Sequence, residues 1–73
     1  MEFPSWHIME ENDGYFYGHL FMDQRQYASD IAEKIVVAQY SIDDAIDACL
    51  RKEDAIIYEV DSRSYDIIRI LHD

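Results

Sequence analysis

Glycine, proline and cysteine are scarce in this sequence of 73 residues, which contains two, one and one of them respectively. So few glycine and proline residues exclude a low-complexity linker. The single cysteine, Cys49, can form neither an internal disulfide bond nor a cysteine-based zinc site. A chain without disulfides is typical of a reducing compartment, so we expect a cytoplasmic protein.

Long apolar runs are also missing. No run approaches the roughly 18 residues that a membrane-spanning helix needs. Residues 1–4 lack the basic and apolar regions of a signal peptide. The three histidines, His7, His19 and His72, lack metal-ligand spacing, and no glycine-rich loop could bind phosphate. We therefore expect no membrane contact, no metal and no other cofactor.

Basic residues are few. Six lysines and arginines stand against 16 acids, which gives a formal net charge of −10. Such a charge repels nucleic acid and anionic membranes, and it attracts a basic partner. The alternative interpretation is that the acidity only keeps a small protein in solution.

The apolar content is high enough for a folded core. Apolar residues make up 49% of the chain and aromatic residues 14%, more than a disordered acidic tail would carry. The length allows one domain, residues 1–73. Because so small a domain has little room for an enclosed active site, the sequence predicts a binding protein rather than an enzyme.

The first local pattern predicts a β-hairpin. Residues 11–14, Glu-Asn-Asp-Gly, are of the types that tolerate a tight turn. They separate two segments rich in aromatic and branched side chains, residues 6–10 and 15–22. His7 and His19 could then lie across from each other on this hairpin.

Residues 23–39 fit two structures. Their apolar residues recur with helical spacing, which favours a helix; these are Tyr27, Ala28, Ile31, Ala32, Ile35 and Val36. The competing interpretation makes residues 34–40 a strand, because the run Ile35-Val36-Val37 favours β structure. We prefer the helix.

Residues 41–52 predict a second helix. Ser41 can cap its first turn, and Asp44 stands three residues later, as in a weak capping box. Its acids come early and its bases late, which suits the helix dipole. Its apolar face comprises Ile42, Ala45, Ile46, Cys49 and Leu50. We interpret Ser41 as a cap rather than a nucleophile, and Cys49 as a core residue.

The end of the chain predicts a second hairpin. Residues 55–60 and 65–70 flank a loop at residues 61–64. One register sets Glu59 against Asp66, a like-charge pair; a register moved by one sets Tyr58 against Ile68 and is preferred. The expected fold is α+β, a small antiparallel sheet from two hairpins with one or two helices packed on one face.

Two sets of residues could bind a partner. The first is an acidic ridge on the second helix and the first turn, made of Asp43, Asp44, Asp47, Glu10, Glu11 and Asp13. The second is an aromatic set near the first hairpin, with Trp6, Tyr15 and Tyr17 as candidate anchors beside Phe3 and Phe16. Some of these aromatics must be core, because side chains alternate between the two faces of a strand. The acidic ridge could also be no more than a solvated helix face and a turn.

Residues 40–48, Tyr-Ser-Ile-Asp-Asp-Ala-Ile-Asp-Ala, form an acidic helix set between strand-like segments. With the length and acidity of the chain, this segment resembles the small phage-encoded regulators of bacterial RNA polymerase, among them types from a coliphage and from a Xanthomonas phage. The resemblance implies a protein of the host-cell cytoplasm that binds basic surfaces of the polymerase subunits. It also implies interference with σ-factor engagement at promoters and an effect on termination.

Two other functions stay open. One is a DNA mimic or anti-defence inhibitor that occupies the basic channel of a nuclease; this requires carboxylates spaced along an elongated surface, and six bases interrupt the acids here. The other is an intracellular adaptor. We expect a monomer, since the sequence gives no sign of symmetry; the alternative is a homodimer formed through an exposed aromatic surface.

Overall fold

The computed structural model describes residues 2–28 and 33–73. In chain order its elements are β1 Ser5–Glu10, β2 Phe16–Phe21, α1 Gln24–Ala28, β3 Glu33–Gln39, α2 Ile42–Lys52, β4 Ile56–Val60 and β5 Ile67–His72. The predicted α+β class is confirmed. In this part of the chain, no helix is long and apolar enough to cross a membrane.

The five strands form one sheet in the order β3-β2-β1-β4-β5. Neighbouring strands are antiparallel except β1 and β4, which are parallel. The sheet is therefore mixed, where the sequence predicted an antiparallel one. The reason is that α2 carries the chain back along the sheet after β3, so that β4 begins at the same end as β1.

The first hairpin forms as predicted. Glu10 lies opposite Phe16, and His7 lies opposite His19. Gly14 has a φ of 87°, the left-handed region that a glycine enters without steric cost. Its N–H donates to the carbonyl of Glu11 over 3.1 Å and closes the turn.

The preferred helix over residues 23–39 is wrong for most of its length. Among the described residues of this span only α1, five residues long, is helical, and β3 fills the positions of the competing strand. The part of the prediction on residues 29–32 lies outside the described residues. Strand pairing decides against the helix: β3 hydrogen-bonds with β2, and Val37 is buried against the core. Helical spacing is a weak signal when a β-branched run can complete a sheet.

The second helix forms as predicted. The Ser41 hydroxyl accepts a hydrogen bond from the backbone N–H of Asp44 over 3.1 Å. At the other end the N–H of Glu53 donates to the carbonyl of Cys49 over 2.9 Å. Ala45 and Cys49 are fully buried against the sheet.

Both predicted registers of the second hairpin are wrong. Glu59 lies opposite Arg69, and Tyr58 lies opposite Ile70, with register shifts on either side of this pair. The connection occupies residues 61–66, longer than the predicted four. The longer loop replaces a like-charge pair by an ion pair, with Arg69 Nε 2.7 Å from Glu59 Oε1.

The main core lies between α2 and one face of the sheet. Its buried members are Trp6, Ile8, Leu20, Val37, Ala45, Cys49 and Ile57. Trp6 also donates from Nε1 to the carbonyl of Glu53 over 2.9 Å, which fixes the end of α2. A smaller buried cluster, Met9, Tyr58 and Val60, lies on the opposite face. The central strand β1 is thus buried on both faces.

At Gly18 on β2, α2 packs directly against the backbone of the sheet. A Cβ atom at this position would lie 2.7 Å from Cys49 Sγ and 3.5 Å from Val37 Cβ. Both neighbours are buried, so neither can move without disturbing the core. The absence of a side chain at residue 18 therefore sets the distance between α2 and the sheet.

We expect Gly18→Ala to lower the free energy of unfolding by roughly 1–3 kcal/mol, because it overpacks this contact. The measurement is urea denaturation. The matched control is the double variant Gly18→Ala with Cys49→Ala, in which the obstructing sulfur is gone. The double variant should lose less stability than the sum of the two single losses. Simple additivity would show that the contact does not govern the helix position.

His7 is buried on the face opposite α2. Its ring centroid lies 4.6 Å from that of Phe21 and 5.6 Å from that of Tyr58. Its Nε2 lies 3.4 Å from Ser5 Oγ. Burial, and secondarily the charge of His19, lowers the pKa of His7 from 6.5 to about 4. Between pH 6.5 and about pH 4, the folded protein therefore keeps His7 neutral, whereas the unfolded chain would protonate it.

This burial predicts acid sensitivity. The contribution of neutral His7 to stability is complete above pH 6.5 and is lost as the pH falls from 6.5 to about 4. We expect the free energy of unfolding to drop by about 3 kcal/mol over this window, as measured by denaturant titration at stepped pH. His7→Phe keeps a ring in the site and should flatten the slope. Equal slopes in the two proteins would refute the assignment.

Candidate partner-binding site

One end of the sheet collects most of the residues that the sequence marked as candidates. Glu10 at the end of β1 pairs with Phe16 at the start of β2, which pairs with Gln39 at the end of β3. The turn at residues 11–14, Tyr40 and the start of α2 therefore lie at this end. The acidic ridge and the tyrosines of the aromatic set thus come to the same end, although they are far apart in sequence.

Among the residues that the structure describes, seven carboxylates lie at this end, which we call the acidic end: Glu10, Glu11, Asp13, Asp43, Asp44, Asp61 and Asp66. Asp61 and Asp66 were not predicted, and they arrive because β4 runs parallel to β1 and ends beside it. All except the half-buried Asp61 are exposed. Asp47 is also exposed, one turn further along α2.

The basic residues are mostly elsewhere. Arg51 and Lys52 lie in the last turn of α2, at the opposite end of the sheet. Arg69 in β5 is paired with Glu59. Among the described basic residues, Arg63 is the one at the acidic end, because it lies in the loop after β4. The charge of the protein is therefore distributed unevenly along the sheet.

Three tyrosines lie at the same end of the sheet, next to Asp13 and on the face opposite α2, and form what we call the tyrosine cluster: Tyr15, Tyr17 and Tyr40. The rings of Tyr15 and Tyr40 stack, with centroids 4.1 Å apart and planes 28° apart. The Tyr15 hydroxyl donates to the Tyr40 hydroxyl over 2.6 Å. Tyr17 is adjacent, with its ring centroid 6.2 Å from that of Tyr15. Tyr40 is 72% exposed, so the stack presents aromatic surface to solvent.

Sequence reasoning missed Tyr40 as a binding residue. The strand interpretation of residues 34–40 contained the needed signal, because it ends at Tyr40 immediately before the helix cap Ser41. With the helix interpretation preferred, nothing connected Tyr40 to the first hairpin. The stack on Tyr15 exists because β3 pairs with β2.

The prediction that Trp6 anchors a partner is wrong. Its side chain is fully buried in the main core, so it cannot contact a partner. Phe16 also packs on that core, and Phe3 is half-buried. The alternation of faces along β2 explains the division, since Phe16 points toward α2 while Tyr15 and Tyr17 lie next to it in sequence.

Asp13 links the first turn to the tyrosine cluster. Its carboxylate accepts from the Tyr17 hydroxyl over 2.5 Å and from the backbone N–H of Tyr15 over 2.9 Å. These hydrogen bonds hold the pKa of Asp13 below its ordinary value. The same Asp13 bond raises the pKa of Tyr17, and the bond to Tyr40 raises that of Tyr15. Near neutral pH the cluster therefore combines a fixed carboxylate with neutral phenols.

The remaining polar groups offer little chemistry. Within residues 2–28 and 33–73, no group of three or more His, Cys, Asp or Glu residues is placed to hold a metal. Burial raises the pKa of the Cys49 thiol to about 12, so it stays protonated. Ser5 and His7 are in contact, but Ser5 is fully buried and its hydroxyl is closed to a substrate.

Comparison with known proteins gives no relative. No family model matches the sequence, and no curated protein or solved structure matches it. Membership of the family that the acidic helix resembles therefore stays a prediction.

The bond between Asp13 and Tyr17 can be tested by titration. We expect Asp13→Asn to lower the pKa of Tyr17 toward 10, because the anion that disfavours the phenolate is gone. Ultraviolet absorbance of tyrosinate during an alkaline titration measures this. Asp66→Asn removes a charge from the same end without touching the cluster and is the control. A titration unchanged by Asp13→Asn would contradict the geometry.

Proposed function

We propose that the protein is a binding protein without catalytic activity, and that its acidic end and tyrosine cluster dock on a basic surface of a larger partner. One observation carries this proposal: the stack of the half-buried Tyr15 on the exposed Tyr40 shares an end of the sheet with seven carboxylates. Aromatic side chains supply contact area at little entropic cost, and carboxylates supply the charge that selects a basic partner.

Lysine and arginine suit both components of this surface. A guanidinium or ammonium group can lie over an exposed tyrosine face and pair with a carboxylate at the same time. The tyrosines are held by hydrogen bonds before a partner arrives, which lowers the cost of ordering them on binding. Long-range attraction toward the acidic end would also raise the association rate at low salt.

The partner we propose is bacterial RNA polymerase, with inhibition of initiation through σ-factor engagement and an effect on termination. The support is the resemblance of residues 40–48 to the small phage-encoded regulators of that enzyme. These residues comprise Tyr40, the cap Ser41 and the first two turns of α2, whose three aspartates are exposed. The proposal places the protein in the cytoplasm of a host bacterium.

The shape of the protein favours this function over DNA mimicry. The principal extents are 29, 26 and 22 Å, so the molecule is nearly isotropic. Its carboxylates gather at one end instead of following an elongated surface. A mimic of a DNA backbone needs carboxylates spaced along an elongated surface.

We expect Asp43→Lys with Asp47→Lys to weaken binding to core RNA polymerase at least tenfold. Reversing two charges of α2 replaces attraction to a basic surface by repulsion. The measurement is the dissociation constant at low and high salt, together with transcription from a σ-dependent promoter. Binding of the original protein should weaken as salt rises.

The matched control is Asp54→Lys with Asp73→Lys. It makes the same change in net charge, but at the exposed opposite end of the sheet. An equal loss in both variants would mean that only net charge matters and that the acidic end is not the docking surface. Transcription unchanged at saturating protein would end the polymerase proposal, and inhibition of a nuclease in competition with DNA would favour the mimic.

A further inference from the structure

The last strand, β5, forms an edge of the sheet. Within the described residues no strand pairs with its outer side. Three isoleucines of this strand are exposed: Ile67 to 40%, Ile68 to 57% and Ile70 to 54%. Open backbone donors and acceptors next to exposed apolar side chains form a template for pairing with another strand.

The charge on β5 is opposite to that of the rest of the protein. Ile67–His72 contains no acid and one base, Arg69, in a chain of net charge −10. Arg69 is itself paired with Glu59, whose carboxylate lies on the neighbouring strand. A basic partner attracted to the acidic end has no electrostatic reason to choose this edge. A second copy of the protein meets no acid along the strand itself, since Asp66 and Asp73 lie just beyond its two ends.

We propose that β5 is the dimerisation surface of the protein, and that its occupant is β5 of a second copy, paired antiparallel about a two-fold axis. The pairing would join two five-stranded sheets into one continuous sheet. It would cover the three isoleucines of each copy with those of the other. The inference is independent of the proposed function, and it replaces the monomer expected from the sequence.

The strand is complementary to itself in charge. Antiparallel pairing centred on Ile68 sets Asp66 of one copy opposite Ile70 of the other, next to Arg69, and keeps Asp66 apart from Asp73. The isoleucines lie between, in both copies. Parallel pairing would set Asp66 beside Asp66 and Arg69 beside Arg69, which costs stability.

The dimer should be weak. Two register shifts interrupt the ladder between β4 and β5, so the regular part of the edge is short. An interface of one strand pair lies below the standard size of about 1,600 Å² for stable complexes. We therefore expect a population of dimer that rises with protein concentration over the micromolar range.

Sedimentation equilibrium over increasing concentrations of the full chain tests this. The original protein should associate to a dimer, and Ile68→Lys should weaken that association at least tenfold by placing two like charges beside each other at the two-fold axis. Val36→Lys is the matched control, since Val36 is 47% exposed on β3, at the opposite edge of the sheet. It should dimerise like the original protein.

A second measurement does not depend on a lysine being tolerated. Cys49 is buried and its thiol stays protonated, so a cysteine introduced at residue 68 would be the reactive one. Ile68→Cys should form disulfide-linked dimers on mild oxidation, and Val36→Cys should not. A protein that stays monomeric up to about 1 mM, or a dimer broken by Val36→Lys and spared by Ile68→Lys, would overturn the proposal.

Discussion

The close contact between Gly18 and Cys49 is the constraint on which the rest of the structure depends. Without a side chain on β2 at this point, α2 lies near enough to the sheet to bury Ala45 and Cys49. The indole of Trp6 then holds the far end of the helix through the carbonyl of Glu53. These two contacts fix the position and the direction of α2, and the candidate site follows from that direction.

The direction of α2 is what separates the charges. The helix carries acids in its first turn and bases in its last, an order that its dipole favours. Since β3 delivers the chain to the helix at the end where the first hairpin turns, those acids join the acids of that turn. Tyr40, the last residue before the cap, then meets Tyr15 across two paired strands. The order of acids and bases along one helix thereby makes the charge of the whole molecule uneven.

Sequence reasoning succeeded where one segment determines its own structure. The turn at Gly14 and the cap at Ser41 depend on neighbouring residues, and both could be predicted. It failed where distant segments decide. The strand β3 exists through its pairing with β2, and the register of the second hairpin depends on a loop two residues longer than expected. The binding surface shows the same division. The acids of the first turn and of α2 were predicted from the sequence, while Asp61, Asp66, Tyr40 and the burial of Trp6 required the fold.

The acidic end and the β5 edge differ in chemistry, so salt must act on them in opposite directions. Salt screens the attraction between carboxylates and a basic partner, which weakens binding at the acidic end. Two copies of a chain of charge −10 repel each other, and the same screening reduces that repulsion. Pairing at β5 relies on backbone hydrogen bonds and apolar contact, which salt leaves in place. A protein that uses both surfaces would therefore bind its basic partner best at low salt and form its own dimer best at high salt.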